Sequence, residues 1–594
     1  MPSIWKISAE DTCATGESDR VARPAAYAVW AVLGASLLVH LWFIPLPGHR
    51  GDLALFDKWM RAALRFGVVH LREHTWCDYP PGYLYLLKAV GLLWTTVSGL
   101  SLPPPGSPTQ RLLLKLIPTG ADLGAAYVLY RIAAARRGPG AALAVCAAYA
   151  FNPAMLFNSA VWGQADSLIA FLLLLSVWAV SRSRIASGFA VWAAAVSVKL
   201  QAVVVLPALL LSTYRVEGGK GILNACWGAA GALLLVLFPF YWAQTIGSVI
   251  TIVRTASGRY PFLSLYALNV WWFFAGSQSR WTSDAMRAGN GLLSYYTLGI
   301  LMLGIATGLI LVRLSRQLRG GQDPAPALFA ACGLQVLAFY LFPTEMHERY
   351  IVPALVLFAA AAIWTPGLWW AYGLASVGTF VSLTSTLALR YPKQLGTIGA
   401  LLPATPGQML LLSGLFIALF GVVLFWTSDR VFQVTALGAL AVATTTIVAV
   451  TRLPLRGPQR LCDWEPIEQS RSDSLHHDSA VNGGPLSVHG LRFRHGMGMP
   501  VPSSATFHLN RAFRVFDTVF AIDDAANSKR PVRFRVLVDN QLRYESEDDP
   551  LGVAVPQHVT LSVEGANLLT LEVLGTGRYQ HQSAADWLEP TLLR

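Results

Sequence analysis

The sequence predicts a polytopic α-helical membrane protein with about 13 transmembrane helices, followed by an all-β jelly-roll sandwich domain. Hydrophobic residue types make up 54% of the 594 residues, and charged types only 13%, about half the share of a soluble domain. Apolar runs of spanning length, roughly 20 residues, recur up to about residue 455. Beyond that point the composition becomes polar and residues alternate with a period of two, which predicts strands.

The membrane part carries its positive charge in short clusters between the apolar runs. The net charge is +12, yet the basic residues form no stripe or arm of the kind that binds nucleic acid. This spacing is typical of cytoplasmic loops. We therefore expect a lipid bilayer, and no nucleic acid, as a partner. The clusters are Arg136 and Arg137, Arg182 and Arg184, and Arg313, Arg316 and Arg319.

Charge placement also predicts an orientation in the plasma (inner) membrane. A cytoplasmic tail (1–24) precedes an uncleaved first span, and segments 46–78 and 244–292 fall outside. Most basic loops then lie inside and the C-terminal domain lies outside. Arg136–Arg137 conflicts with simple alternation, which suggests that one early segment does not cross.

The chain divides into three parts after the tail. Residues 25–455 form the membrane domain, with 46–78 as its first external loop, and 456–484 read as a polar linker. Residues 485–594 show alternating runs, such as 532–538, that are separated by turn signals. Short antiparallel strands at this spacing predict a sandwich.

The first external loop holds an amphipathic helix that we expect to lie on the membrane surface. Asp52 stands at its N-terminal edge, where a helix cap is the alternative to a functional role. Pro80 and Pro81 then fix the start of the next helix. The apolar residues of the amphipathic helix are Phe56, Trp59, Met60, Leu64 and Phe66.

Further polar and ionisable residues stand at the predicted external ends of the spans. Each alone fits a cap, a snorkelling side chain or an interface anchor. Together they gather on one face, and ionisable residues at membrane depth are functional candidates by default. They are Asp78, Gln164, Asp166, Lys199, Gln201, Arg254, Arg259, His347, Glu348 and Arg349.

These motifs together resemble one enzyme family. Gly51-Asp52 with Trp59 and the Asp-Tyr-Pro-Pro segment 78–81 are similar to the first external loop of GT-C membrane glycosyltransferases. Segments 162–167, 197–201, 260–264 and 346–350 also match that group. The resemblance covers about residues 25–450. It is closest to bacterial GPI-mannosyltransferase-like proteins, which are similar to the enzymes that glucosylate dolichol-linked oligosaccharide.

The resemblance implies inverting transfer of one sugar, with mannose expected, from a polyprenyl-phosphate donor on the external face. The acceptor is a glycan, glycolipid or protein hydroxyl, with Asp52 as its general base. No cofactor is expected, and a divalent metal is disfavoured because the first loop has no Asp-x-Asp motif. The resemblance implies donor-phosphate binding by Lys199, Arg254, Arg259, His347 and Arg349. It implies supporting roles for Trp59, Asp78, Gln164, Asp166, Gln201 and Glu348.

The C-terminal part has a resemblance of its own. Residues 514–524, 532–540 and the closing Asp586-Trp587 resemble an NPCBM-like carbohydrate-binding module, a galactose-binding-like jelly roll, over about 485–594. Segment 575–581 departs from the usual glycine-rich, His-bearing pattern, so a structural lid or a partner-docking domain is the alternative to sugar binding.

Two other functions compete with transfer. A glycolipid transporter or flippase would show repeat symmetry and polar groups at mid-membrane, whereas here they gather at one face. A membrane-anchored carbohydrate-binding protein would need far fewer spans.

Overall fold

The computed structural model divides into two compact units, Met1–Arg280 with Tyr295–Ala443, and Trp281–Ser294 with Thr444–Arg594. We call them the helical unit and the β unit. The residues that it describes are 18–257, 262–280, 282, 284–285, 287–288, 293–320, 323–391, 406–425, 459–470, 475–488, 491–524, 532–546, 556–575 and 584–593.

The helical unit contains α-helices interrupted by a π-helical turn, Phe157–Trp162, and a 3-10 turn, Leu200–Val205. The α-helices are α1 (Ser18–Phe43), α2 (Arg50–Phe66), α3 (Leu71–His74), α4 (Pro81–Ser98), α5 (Pro108–Arg137), α6 (Pro139–Ala150), α7 (Pro153–Leu156), α8 (Asp166–Ser181), α9 (Ile185–Val198), α10 (Leu206–Trp242), α11 (Ile246–Arg254), α12 (Val270–Ala275), α13 (Tyr295–Gln317), α14 (Pro324–Leu341), α15 (Val352–Trp364), α16 (Trp369–Arg390) and α17 (Pro406–Phe425).

Six helices in the described residues are long and apolar enough to cross a membrane, or seven if one bent pair counts as a span. Their length and composition support a membrane protein but not the predicted count of about 13. Four further apolar stretches of 10–17 residues, α8 among them, fall short of that length within the described residues. The apolar stretch from 426 to about 455 lies outside the described residues. The membrane and the orientation stay predictions.

Helix α4 explains the conflict over Arg136–Arg137. The Lys115 ammonium of α5 donates to the Ile44 and Leu46 carbonyls, at 3.0 and 2.9 Å. Arg137 follows 22 residues later, about 33 Å along the helix, and donates to the Ile363 carbonyl.

Both ends of α4 stay near the Ile44 end of α5. Before α4, the Tyr79 hydroxyl bonds Gln164. After α4, Arg61 of α2 donates to the Pro103 carbonyl, and Arg111 of α5 to Pro45. The α4 segment therefore returns to the end from which it started, and α5 carries the chain to the other end.

The apolar face of α2 packs inside the helical unit. Phe56, Trp59 and Met60 are fully buried, and the Phe56 ring lies 5.2 Å from that of Tyr83 on α4. The amphipathic helix is thus observed, with Phe56, Trp59 and Met60 of its apolar stripe in contact with protein, and its position on the membrane surface stays a prediction. The aromatic residues around α4 offer that stripe a protein partner.

The β unit is built from antiparallel strands, and the two larger sheets run β13-β10-β15-β8-β5, with β3 also on β15, and β12-β11-β14-β9-β4. The pairs β1-β2 and β6-β7 complete it. The strands are β1 (Arg287–Ala288), β2 (Leu293–Ser294), β3 (Gln459–Arg460), β4 (Glu468–Gln469), β5 (His476–His477), β6 (Ser487–Val488), β7 (Leu491–Arg492), β8 (Gly496–Pro500), β9 (Ser503–His508), β10 (Val515–Ile522), β11 (Val532–Val538), β12 (Gln541–Glu545), β13 (Gln557–Ser562), β14 (Leu568–Gly575) and β15 (Ala584–Leu593).

Side chains from both sheets form one apolar core. The ring of Phe520 on β10 lies 4.7 Å from that of Phe534 on β11, and Trp587 on β15 lies 5.2 Å from Phe534. Strand β11 alternates buried and partly exposed residues, as its period of two predicts. The all-β sandwich is therefore confirmed.

The predicted linker needs a correction. Strands β3, β4 and β5 all fall within 456–484, and they pair with β15, β9 and β8 of the sandwich. The segment lacks the period-two alternation that predicts strands. A short strand at a sheet edge, however, needs only two paired residues and leaves no such pattern. The folded domain therefore begins before residue 485.

Candidate functional site

The start of α2 places Asp52 without using it as a cap. His49 is the N-cap, and its Nδ1 accepts the Asp52 backbone N–H at 3.1 Å. Asp52 is the third residue of the helix, so the alternative that it caps the helix is wrong. Its carboxylate is left to contact other parts of the chain.

Two side chains at the end of the π-helical turn 157–162, Trp162 and Gln164, bind the Asp52 carboxylate. The Trp162 indole N–H donates to Oδ2 at 2.9 Å, and the Gln164 amide donates to the same oxygen. The His49 ring stacks on Trp162 with centroids 5.1 Å apart, and its Nδ1 lies 3.3 Å from Oδ2. Two side chains, Trp162 and Gln164, therefore hold the Asp52 carboxylate by hydrogen bonds, and the His49 ring packs beside it.

The sequence around Gly163 produces this arrangement. The π-helical turn ends there in a left-handed conformation (φ 89°), which glycine adopts without strain. The N–H groups of Gly163 and Gln164 then both donate to the Asn158 carbonyl at 3.0 Å. A Cβ on Gly163 would lie 2.8 Å from Leu53. This tight turn presents Trp162 and Gln164 to the same carboxylate.

A second cluster forms around Asp166, the first residue of α8. Its Oδ1 accepts from the Lys199 ammonium at 2.7 Å and from the Gln201 amide at 3.1 Å, and its Oδ2 lies 3.6 Å from Arg349 Nε. Lys199 occupies an extended break between α9 and the 3-10 turn, so it reaches Asp166 from a chain reversal. Asp166, Lys199 and Gln201, which the sequence singled out in separate motifs, thus form one contact set.

Arg349 connects this cluster to the segment before α15. It donates to Glu348 Oε1 at 2.8 Å, and His347 Nδ1 lies 3.9 Å from Glu348 Oε2. The Leu265 N–H donates to the Met346 carbonyl at 2.9 Å, which anchors this segment.

Tyr79 joins the two clusters. Its hydroxyl donates to Gln164 Oε1 at 3.3 Å, and the Lys199 ammonium lies 5.7 Å from its ring centre. The Trp59 ring lies 5.2 Å from the Tyr79 ring, while its indole N–H donates to the Trp76 carbonyl. Trp59 therefore supports Tyr79 and does not itself reach Asp52.

The charges around Asp52 keep it ionised. Burial alone would raise its pKa, but the Arg349 guanidinium, the His49 ring and the bonds from Trp162 and Gln164 together hold that pKa below its ordinary value. Burial likewise opposes ionisation of Glu348, yet Arg349 lowers its pKa to about 2. Burial, and next Arg349, lower the pKa of His347. Asp52, Asp166 and Glu348 thus lie close to the two cations of Lys199 and Arg349.

The remaining predicted residues stand apart from this cluster. Arg254 ends α11 with an exposed side chain, and no contact among the described residues joins it to Asp52 or Asp166. Asp78 is half-buried beside Arg72. Arg259 lies outside the described residues. Buried carboxylates pair both Lys199 and Arg349, and the assignment of these two residues to the donor phosphate stays a prediction.

Sequence reasoning did not assign roles to His49 or Trp162. His49 carried a signal, since a cap stands just before the first helical residue. Within the described part of the chain, no group of three His, Cys, Asp or Glu side chains is arranged to hold a metal ion.

Comparisons with known proteins identify the C-terminal domain. Residues 457–593 match the model of the NPCBM/NEW2 domain family. This match confirms the NPCBM-like prediction, but it begins at residue 457 and not at the predicted residue 485. The chain is 27% identical over 132 residues to a Renibacterium salmoninarum protein named as a candidate endo-alpha-N-acetylgalactosaminidase. That match covers 22% of this chain and only 8% of the relative.

Two solved structures are also similar. The CBM51 from Clostridium perfringens GH95 in complex with methyl-galactose is 20% identical, with a TM-score of 0.21, over 23% of this chain and 99% of that one. Arabinosyltransferase EmbB from Mycobacterium smegmatis is 13% identical, with a TM-score of 0.34, over 95% of this chain and 64% of that one.

Proposed function

We propose that the helical unit is a GT-C-type glycosyltransferase that moves one sugar from a polyprenyl-phosphate donor to an acceptor hydroxyl on the external face. The observation that carries the proposal is the Asp52 carboxylate, ionised and oriented by Trp162 and Gln164 beside the buried cations. A positioned carboxylate is the group that proton removal from a hydroxyl requires. Mannose is the proposed sugar.

The proposed step balances as one displacement. An acceptor hydroxyl oxygen attacks the sugar C1 carbon while Asp52 takes its proton. The bond from C1 to the phosphate oxygen breaks, the electron pair leaves with the polyprenyl phosphate, and C1 is inverted. The Trp162 and Gln164 donors keep Oδ2 in place, which leaves Oδ1 of Asp52 as the oxygen that receives the proton.

The leaving phosphate needs positive charge as the bond breaks. We propose that Lys199 and Arg349 supply it by exchanging part of their contact with Asp166 for the phosphate. Arg254, which is exposed at the end of α11, and Arg259 would approach the phosphate from the predicted external segment 244–292. His347 would add a neutral donor.

The β unit suggests an acceptor of carbohydrate character. Its match to the NPCBM/NEW2 family supports a domain that binds glycan. In segment 575–581, where the sequence departs from the usual pattern of such modules, residues 576–581 lie outside the described residues. We propose that it binds the acceptor or product glycan, as part of the same membrane protein.

The test is turnover by the purified full-length protein in liposomes with radiolabelled polyprenyl-phosphate mannose and a panel of glycan, glycolipid and peptide acceptors. We expect label in the acceptor, and a loss of about 100-fold or more in Asp52→Asn, the usual size of a general-base effect. Movement of intact donor across the bilayer without bond cleavage would establish the transporter instead.

Asp57→Asn is the matched control. Asp57 lies on the same helix, is buried, and pairs with Arg61 Nε at 2.8 Å, away from Trp162 and Gln164. We expect it to keep most of the activity. Full activity of Asp52→Asn would disprove the assignment of the base.

A further inference from the structure

Lys115 of α5 is a fully buried cation that the proposed mechanism does not use. Its ammonium donates to the Ile44 carbonyl at 3.0 Å and to the Leu46 carbonyl at 2.9 Å. A lysine is almost never fully buried unless it is paired, and here both of these partners are neutral backbone groups. Because taking an ammonium out of water is costly, its burial at this place indicates a role beyond packing.

The carbonyls that Lys115 binds belong to segment 44–48, which joins the end of α1 to His49. The last carbonyl groups of a helix have no partner within the helix, and the chain that follows them needs other donors. Arg111, one turn before Lys115 on the same face of α5, donates to the Pro45 carbonyl. Two cations of α5 therefore hold three successive residues of the segment.

The other end of segment 44–48 contacts the π-helical turn. A Cβ on Gly48 would lie 2.4 Å from the Val161 carbonyl oxygen and 2.8 Å from that of Trp162, so the two backbones touch. The His49 N–H donates to the Trp162 carbonyl at 3.4 Å, and His49 caps the helix that carries Asp52. The position of the segment therefore determines how Trp162 faces Asp52.

The aliphatic part of Lys115 packs against the same turn from a second side. A Cβ on Gly163, the residue at which the turn ends, would lie 3.2 Å from Lys115 Cγ and 3.3 Å from Lys115 Cε. Lys115 thus contacts both parts of the Asp52 site. Its ammonium binds the chain that leads to Asp52, and its methylene groups support the turn that presents Trp162 and Gln164.

We propose that Lys115 is a positioning residue, which sets the separation between the Asp52 carboxylate and its two donors, Trp162 and Gln164. It acts through segment 44–48 and through the Gly163 turn. The hydrogen bonds of the ammonium order the segment, and the methylene groups limit how closely the turn can approach α5. The effect on activity rests on the proposed function, whereas the effect on the backbone does not.

The test compares Lys115→Met, which keeps the length of the side chain but removes the charge, with the wild-type full-length protein. The first readout is hydrogen–deuterium exchange measured by mass spectrometry. We expect faster exchange of the backbone N–H groups of His49, Asp52, Gly163 and Gln164, because Lys115 holds both segments that carry them.

The second readout is the pH dependence of the proposed transfer. With Trp162 and Gln164 displaced, the ionised form of Asp52 loses donors, so its pKa rises from the lowered value and the acid limb of kcat moves to higher pH. We expect kcat to fall by about 10- to 100-fold while the acceptor KM changes little. A variant that is merely less stable would contain fewer active molecules but would keep the wild-type pH profile.

Arg137→Met is the matched control. Arg137 ends the same helix at its other end and also donates to two backbone carbonyls, those of Ile363 and Trp364. This variant should leave the pH profile and the exchange of peptides 44–53 and 158–165 unchanged.

A second variant covers the case in which Lys115→Met does not fold. Lys115→Gln keeps an amide donor and should show the same changes to a smaller degree. Wild-type exchange together with a wild-type pH profile in a folded Lys115 variant would overturn the inference. Faster exchange in the variant, with no sugar transfer by the wild-type protein, would refute the proposed function and leave the positioning of the turn by Lys115 standing.

Discussion

Trp162 donates its indole N–H to the Asp52 carboxylate across 2.9 Å, although 110 residues separate the two in the chain. One residue ends a π-helical turn and the other lies in the first turn of α2. This bond makes Asp52 part of a folded site, because it fixes one carboxylate oxygen and favours the ionised form.

Trp162→Phe should change the pH dependence of the proposed transfer. The substitution removes a donor to the ionised form, so the pKa of Asp52 rises from its lowered value. Since the base works deprotonated, kcat/KM falls as pH drops through that pKa, and the acid limb should move to higher pH. The measurement is kcat/KM against pH. Trp59→Phe, which removes the bond to Trp76 instead, should leave the limb in place.

Gly48→Ala should disrupt the site through the backbone. Gly48 has φ +62°, and a Cβ there would lie 2.4 Å from the Val161 carbonyl oxygen and 2.8 Å from that of Trp162. The loop before His49 would have to move away from Trp162. We expect the Gly48→Ala protein to be produced at normal yield and to lose turnover by at least about tenfold relative to the wild-type protein. Gly67→Ala is the control, because Gly67 has φ +81° but nothing within 4 Å. Equal losses in both variants would assign the effect to φ strain alone.

Asp166→Asn should destabilise the helical unit. The carboxylate is fully buried and balances Lys199 and Arg349, so its loss leaves buried positive charge unpaired, at a cost of about 3–5 kcal/mol. The unfolding midpoint in detergent should fall, and Asp166→Asn with Lys199→Met should recover part of the loss. A double variant no more stable than the single one would argue against charge imbalance as the cause.

Asp586→Asn should stabilise the β unit at neutral and alkaline pH. Burial, and next a hydrogen bond with Asp523, raise the pKa of Asp586 to about 9. The unfolded chain releases this proton near pH 4 whereas the folded domain keeps it, so stability falls as pH rises from about 4 to about 9. Hydrogen exchange of β10 and β15 in the full-length protein should show that slope flattened in Asp586→Asn. Asp517→Asn, a partly exposed position on β10, should retain it.

The architecture was largely readable from the sequence. A composition that is 54% hydrophobic, arranged in long apolar runs, determines a helical membrane part, because backbone groups in lipid must bond within a helix. The alternation in 532–538 likewise determines strand β11, since period two places one set of side chains in a core. Both are local patterns that a linear chain displays.

The site depended on contacts that no local pattern contains. The sequence singled out Asp52, Asp166, Lys199 and Arg349, but it left Asp52 as either a base or a cap. Only the tertiary structure showed that His49 caps the helix, that Trp162 and Gln164 hold Asp52, and that Asp166 and Glu348 occupy the cations expected for a phosphate. Hydrogen bonds and ion pairs act over about 3–4 Å, so partners distant in the chain are decided by the packing of helices. The sequence by itself determined the types of side chain available, and the tertiary structure decided which of them meet.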